Sequence, residues 1–293
     1  MIRGKKFSDI WKAVDLQPAT NVASDHMIQA ELKVITGEVQ ALRTQIGELK
    51  SLLWGSLKNS DPLDLYVISH QHFFHEGHFH EHYDDWRMRR IRKVMEIYGS
   101  DFRGKRVLEL GGGLGDIGAF FASLGAEVLS LEGRKVNQQF ASIKYRNLKT
   151  FKSVLCDLEK DFSSYGRFDL IINFGLLEVI ENLDNLMECC CRMSDCIFLE
   201  TLVCDSTDPS EVRYIKMDPA QTIDNPLYGP CAQPSPFYIE KFFETRGYSF
   251  RRAFDKDLNS VYHIYDWQHD NNTVDRPPYK RRFWLFSKNE GNV

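Results

Sequence analysis

The stretch "VLELGGGLGDIG", residues 107–118, puts a carboxylate near the end of an apolar run and follows it with closely spaced glycines. Glu109, Gly111, Gly113 and Gly115 spell E-x-G-x-G-x-G, while Gly113, Gly115 and Gly118 spell G-x-G-x-x-G. Both spacings suit close approach of a nucleotide-like ligand, because glycine has no Cβ to intrude. Glu109 separates them. A strand covered on both faces is normally apolar just before its first glycine, so a carboxylate there needs a cation such as a ligand ammonium. Glu132 lies 17 residues past Gly115, at the end of the next strand, where an acid can accept both ribose hydroxyls. Asp157, with Leu158 after it, ends a third strand in "VLCDLE" and is placed to meet an adenine. Taken singly, each acid is equally compatible with a solvated loop.

These residues need a scaffold that brings strand ends to one edge. Apolar runs at 105–110, 126–131, 152–156, 168–173 and 196–203 read as strands, and a helix is expected after each of the first four. Such alternation gives an α/β fold with a doubly wound, mainly parallel sheet. The character then changes. "PFYIEKFFETRG" reads as a helix ending at glycine, and "YSFRRAF" and "RRFWLFS" read as two closing strands.

Taken in order, Glu109, Gly111, Gly113, Gly115, Glu132 and Asp157 resemble the cofactor signature of class I S-adenosylmethionine-dependent methyltransferases. "NFGLLEVIENL", from Asn173, resembles that family's segment after the fourth strand, and the resemblance spans roughly residues 84–290. It implies a Rossmann-like seven-stranded sheet with a C-terminal antiparallel strand, and S-adenosyl-L-methionine as cofactor. Glu109, the glycines, Glu132, Asp157, Leu158 and Asn173 would then be cofactor-binding. A dehydrogenase would explain neither Glu109 nor the closing antiparallel pair.

The acceptor is less clearly written. Amine and base methyltransferases of this superfamily often carry [D/N/S]-P-P-[Y/F/W] after the fourth strand, where this chain has Asn173-Phe174-Gly175-Leu176. Residues 204–236 form a long, proline-punctuated stretch that reads as a substrate lid. His263, Asp266, Trp267 and His269 follow in a segment whose Tyr, Trp, Asp, Asn and His suit a polyhydroxylated ligand. A looser resemblance to surface-glycan methyltransferases points to O-methylation of a sugar, glycan or other small hydroxyl compound. A hydroxyl attacks poorly until its proton is leaving, and histidine is suited to take it near neutral pH. His263 is the expected base, with Asp266 supporting it; Glu178 and the histidines His78, His80 and His82 are the alternatives.

Six of the nine histidines fall between His70 and His82. They read as a cofactor lid or substrate wall rather than a metal site, since no cysteine or motif completes a zinc spacing. The run "RMRRIRK" reads as a solvated helix face in which Arg87 and Arg90 cover the fold. A phosphate-binding role is the alternative, and a net charge of −4 disfavours nucleic acid.

Ile28, Leu32, Ile35, Val39, Leu42, Ile46, Leu49 and Leu53 recur at intervals alternating between four and three, the seam of a coiled coil. A homo-oligomer joined through residues 28–53 is therefore expected, dimer and trimer both being open. The expected segments are 1–24, a coiled-coil helix over 25–57, a His-rich lid and leading helix over 58–99, and a methyltransferase domain over 100–293. Seven cysteines without a C-x-x-C pair, no secretory apolar region behind the basic start, and no membrane-length apolar run suggest a cytoplasmic protein. A protein or RNA methyltransferase, and a non-catalytic coiled-coil scaffold with a relict cofactor fold, stay open as other functions.

Overall fold

The computed structural model describes residues 33–37, 39, 81–215, 229–270 and 278–288. The chain divides into two units, Met1–Asp61 and Pro62–Val293. In the first, residues 33–37 and 39 are helical; the rest of the coiled-coil seam lies outside the described residues. So do His70 to His80, while His82 falls in the first turn of a helix.

In the second unit, helix α1 (Glu81–Tyr98) leads into a Rossmann-like alternation. Strand β1 (Arg106–Leu110) is followed by α2 (Asp116–Ser123), β2 (Glu127–Glu132) and α3 (Lys135–Lys144). Then come β3 (Phe151–Leu155), β4 (Leu170–Phe174), α4 (Leu183–Met193) and β5 (Cys196–Leu202). A short pair, β6 (Val212–Ile215) and β7 (Cys231–Pro234), precedes α5 (Pro236–Glu244) and β8 (Ser249–Ala253). Two-residue β9 (His263–Ile264) and β10 (Tyr279–Ser287) close the chain. The main sheet runs β3-β2-β1-β4-β5-β10-β8; β1 to β5 are parallel, and β10 is antiparallel to both its neighbours, with β9 beside it.

Two expectations need correction. The segment after β3 forms only a single 3-10 turn, Ser163–Tyr165, instead of an α-helix. Polar "DLEKD" and Gly166 offer too few apolar positions to pack a second turn onto the sheet. The stretch 204–236 also contains order, because β6 and β7 pair antiparallel within it.

Side chains alternate along the strands, so the sheet has two covered faces. Leu108, Leu110, Ile171, Ile197 and Leu199 pack with Leu186, Met187 and Cys190 of α4 and Ile239 and Phe243 of α5. Val107, Val128, Ile172, Phe198 and Phe283 pack with Ile91 and Val94 of α1 and Phe120 and Phe121 of α2. Glu240 ties α5 to the closing strands by accepting from Trp284 Nε1 at 2.7 Å and Arg252 Nε at 2.7 Å. The basic run is split: Arg92 is exposed and Arg89 partly so, while Arg87 and Arg90 cover the fold as expected. Arg87, Arg90 and Lys93 of α1 are buried, at the same helical spacing as Val94 and Trp86.

Candidate active site

The glycine loop joins the C-terminal end of β1 to α2, and backbone hydrogen bonds strap it to β2. Gly111 and Gly112 N–H both donate to the Leu131 carbonyl, at 2.8 and 3.1 Å. Gly113 has φ +54°, and a Cβ added there would meet nothing within 4 Å, so it would project into open cleft. Gly118 serves packing: its Cβ would lie 2.5 Å from Glu109 Oε2 and 3.0 Å from Phe151 and Val128. Glu109 is buried, and its Oε1 accepts from the Gly118 N–H at 2.9 Å. Its Oε2 is buried with no hydrogen-bond partner, and burial pushes the carboxyl up to about 7. A buried acid with one unused oxygen at the mouth of a cleft fits a cationic ligand group.

Glu132 ends β2 and faces the same loop. Its Oε2 accepts from the Gly113 N–H and its Oε1 from the Arg134 N–H, both at 2.7 Å. Burial raises its carboxyl, and the two backbone donors partly offset this. The Asn137 side chain also hydrogen-bonds this carboxylate. Asp157, half-buried past β3, caps Glu159 N–H at 3.2 Å and pairs with Lys160 at 3.0 Å, and Leu158 beside it is buried. Asn173, the last residue but one of β4, has neither amide atom partnered and no exposed surface. The structure thus places the residues expected to bind the cofactor at the carboxyl ends of β1 to β4, the edge where open α/β sheets bind ligands.

A cleft opens at the β1 and β4 ends, lined by Glu109, Gly111–Leu114, Ile117, Phe174, and by Arg87, Arg90 and Asp116. The last three were not assigned to the site from sequence. Asp116 opens α2 and pairs with Arg87 at 2.5 Å, with Lys144, and with the Tyr145 hydroxyl. Burial opposes its ionisation, yet the cations of Arg87 and Lys144 hold the carboxyl below its ordinary range. The pairing locks α1 and α3 onto the glycine loop.

Beside the cleft, Glu200 of β5 is fully buried and takes Arg281 of β10, Arg90 of α1 at 3.1 Å and the Tyr265 hydroxyl at 2.8 Å. Burial again opposes ionisation, and Arg281 and Arg90 overcome it. Arg281 also reaches Glu178 Oε1 at 2.6 Å, whose Oε2 accepts from Thr201 at 2.6 Å. Gly175, after β4, has φ +66° and sits against this network: a Cβ there would come within 3.5 Å of Trp86 and 3.6 Å of Arg281 and Arg90. Glu178, an expected catalytic candidate, is therefore buried with both oxygens engaged. The sequence held a signal for this network, since Glu200 interrupts the apolar run "IFLETL" and must find a cation.

The expected pairing of His263 with Asp266 is not formed. His263 Nδ1 lies 3.2 Å from Ser260 Oγ and its ring stacks on Trp86 at 4.4 Å. Asp266 is exposed and accepts from Asn259 Nδ2 at 2.8 Å. The imidazole that does meet an aspartate is His269, whose Nδ1 is 2.8 Å from Asp205 Oδ1.

The comparisons agree with this architecture. No family model matches the chain, and no curated protein matches it by sequence. Among solved structures, the N-terminal domain of EvdMO1 with SAH bound is 18% identical with a TM-score of 0.52, covering 74% of this chain and 83% of that one. The same domain in the presence of SAH and D-fucose is 19% identical with a TM-score of 0.53, covering 72% and 84%. Magnesium protoporphyrin IX methyltransferase from Synechocystis PCC 6803 with bound SAH is 15% identical with a TM-score of 0.48, covering 82% and 100%. The chain has the Rossmann-like fold of class I S-adenosylmethionine-dependent methyltransferases. All seven cysteines are free thiols, and among the described residues no helix is long and apolar enough to cross a membrane.

Proposed function

We propose that this chain is an S-adenosylmethionine-dependent methyltransferase acting on a hydroxyl of a sugar or another small molecule. The carrying observation is the cradle itself. Gly113 faces open cleft, Glu109 Oε2 and the Asn173 amide are buried without partners, and Glu132 is held against the loop by two backbone donors. These groups suit an ammonium, an adenosine and its ribose. When bound, the cofactor supplies a methyl already activated on a sulfonium. The protein's own task is to orient and to exclude water. Glu109 would meet the ammonium and Glu132 the ribose, while Asp157, Leu158 and Asn173 border the adenine side. The Asp116 and Glu200 networks hold α1 and the β4 turn rigid around them. The sugar reading is supported by the EvdMO1 domain studied with SAH and D-fucose, and by the aromatic and polar segment 262–270 near the β5 end.

The test is transfer of labelled methyl from S-adenosylmethionine to a panel of free sugars, nucleotide-sugars, peptides and RNA. Labelled sugar supports the reading; label only on peptide or RNA moves the chain to another substrate class. We also propose that residues 28–53 join copies of the chain. Ile35 and Val39, both on the seam, lie on a helix with 55% and 45% of their surfaces exposed.

A further inference from the structure

Asp205 lies three residues beyond β5, at the same carboxyl edge as the cofactor cleft. Its side chain is fully buried, and its Oδ2 takes Lys280 Nζ at 2.8 Å and the Asp270 N–H at 3.1 Å. Burial opposes its ionisation, but the hydrogen bonds from Lys280 and its neighbours hold it well below the usual carboxylate range. An ionised carboxylate only accepts hydrogen bonds. The proton between Asp205 Oδ1 and His269 therefore belongs to Nδ1, which in the neutral form of the ring leaves the lone pair on Nε2. That Nε2 is buried and has no hydrogen-bond partner.

The ring is also fixed in place. Trp267 meets it edge-on at 5.2 Å, and Phe237 of α5 lies at 5.6 Å. Arg282 holds the segment by donating to the Tyr265 and Trp267 carbonyls at 2.6 and 2.8 Å. A basic nitrogen, oriented from behind and unpartnered in front, is what proton abstraction from a hydroxyl requires. Its place fits as well. Adjacent strands are about 5 Å apart, so a group anchored past β5 sits roughly one to two strand spacings from the end of β4, within the span of a small sugar.

We propose that His269 is the base that takes the acceptor hydroxyl's proton, and that Asp205 is the residue that positions it. This rests on the methyltransferase reading and supplies its missing base. The acceptor O–H gives its proton to Nε2 while its oxygen forms the O–CH3 bond. The methyl's bond to sulfur breaks with the electron pair staying on sulfur, and Nε2 then returns the proton to water. Amines and thiolates, which are better nucleophiles, would not need such a dyad; hydroxyl compounds do.

The first test needs no acceptor. Long-range 1H–15N NMR on full-length protein with 15N-labelled histidine, His269 being assigned with His269→Gln, reads the tautomer directly. We expect the proton on Nδ1, lost as a preference in Asp205→Asn; a proton on Nε2 in the wild type overturns the proposal. The second test uses S-adenosylmethionine and a panel of free hexoses and deoxyhexoses. His269→Gln is expected to lower kcat by about 10²-fold or more at unchanged S-adenosylhomocysteine affinity. Asp205→Asn is expected to move the acidic limb of the pH profile, where the rate rises as the base loses its proton, and which Lys280 and Asp270 also border. Unchanged turnover in His269→Gln overturns the proposal, and where no sugar is turned over the tautomer decides. Wild-type protein that fails to bind S-adenosylhomocysteine defeats the methyltransferase reading itself; binding with an Nε2–H tautomer defeats only the base.

Discussion

Glu109→Gln should stabilise this protein at alkaline pH. Glu109 is 3% exposed, packed between the glycine loop and Gly118, with one oxygen satisfied by the Gly118 N–H and the other by nothing. Burial lifts its carboxyl from the ordinary 4.5 to about 7. A displacement of that size corresponds to roughly 3 kcal/mol, an upper figure for a relaxed protein. The sign follows from proton counting. Below pH 4.5 the group is protonated in both folded and unfolded chains, and its burial costs little. Between pH 4.5 and 7 the unfolded chain ionises while the folded one holds its proton, so stability falls as pH rises. Above 7 the full cost of the buried charge is present. Glutamine keeps an acceptor for Gly118 but cannot ionise. Urea unfolding at pH 5, 6, 7 and 8 should therefore show the two proteins close at pH 5 and the variant ahead by about 1–3 kcal/mol at pH 8. The same variant should lose cofactor affinity, as expected where a site stores strain for its ligand. Parallel pH profiles would refute the reasoning.

Three other outcomes are expected. Glu132→Ala removes charge-assisted hydrogen bonds and should weaken S-adenosylhomocysteine binding by about 1.5–3 kcal/mol, read by calorimetry. Arg281→Met leaves Glu178 with only Thr201 and should cost about 3–5 kcal/mol in urea unfolding, while adding Glu178→Gln should restore part of that loss. Ile35→Asp with Val39→Asp should turn an oligomer into monomers by light scattering without loss of cofactor affinity; an unchanged mass would remove the coiled-coil interface.

The parts of the site that could be read from the sequence are those written locally. Glu109, the glycines and Glu132 fall within 24 residues, and strand–loop–helix geometry fixes their relations once the strands are placed. The charge networks are different. Arg90 and Glu200 are 110 positions apart, Arg281 and Glu178 are 103, and Asp205 and His269 are 64. Only the order β4-β5-β10 brings them together, and no local period encodes that order. The basic run on α1 was legible only in part for the same reason: Arg87 and Arg90 do cover the fold, but their buried partners, Asp116 and Glu200, lie on other elements. His263 and Asp266 erred in the opposite direction. Proximity in the chain suggested a pair, but Asp266 is taken by the Asn259 amide and His263 by Ser260 and the Trp86 ring.

The central claim is the cofactor, and titration calorimetry on the full-length protein tests it most directly. S-adenosylmethionine and S-adenosylhomocysteine should both bind with one-to-one stoichiometry, Glu132→Ala should weaken both, and nicotinamide dinucleotides should give no heat. Saturable binding of a nicotinamide dinucleotide, with none of S-adenosylmethionine, would contradict the account.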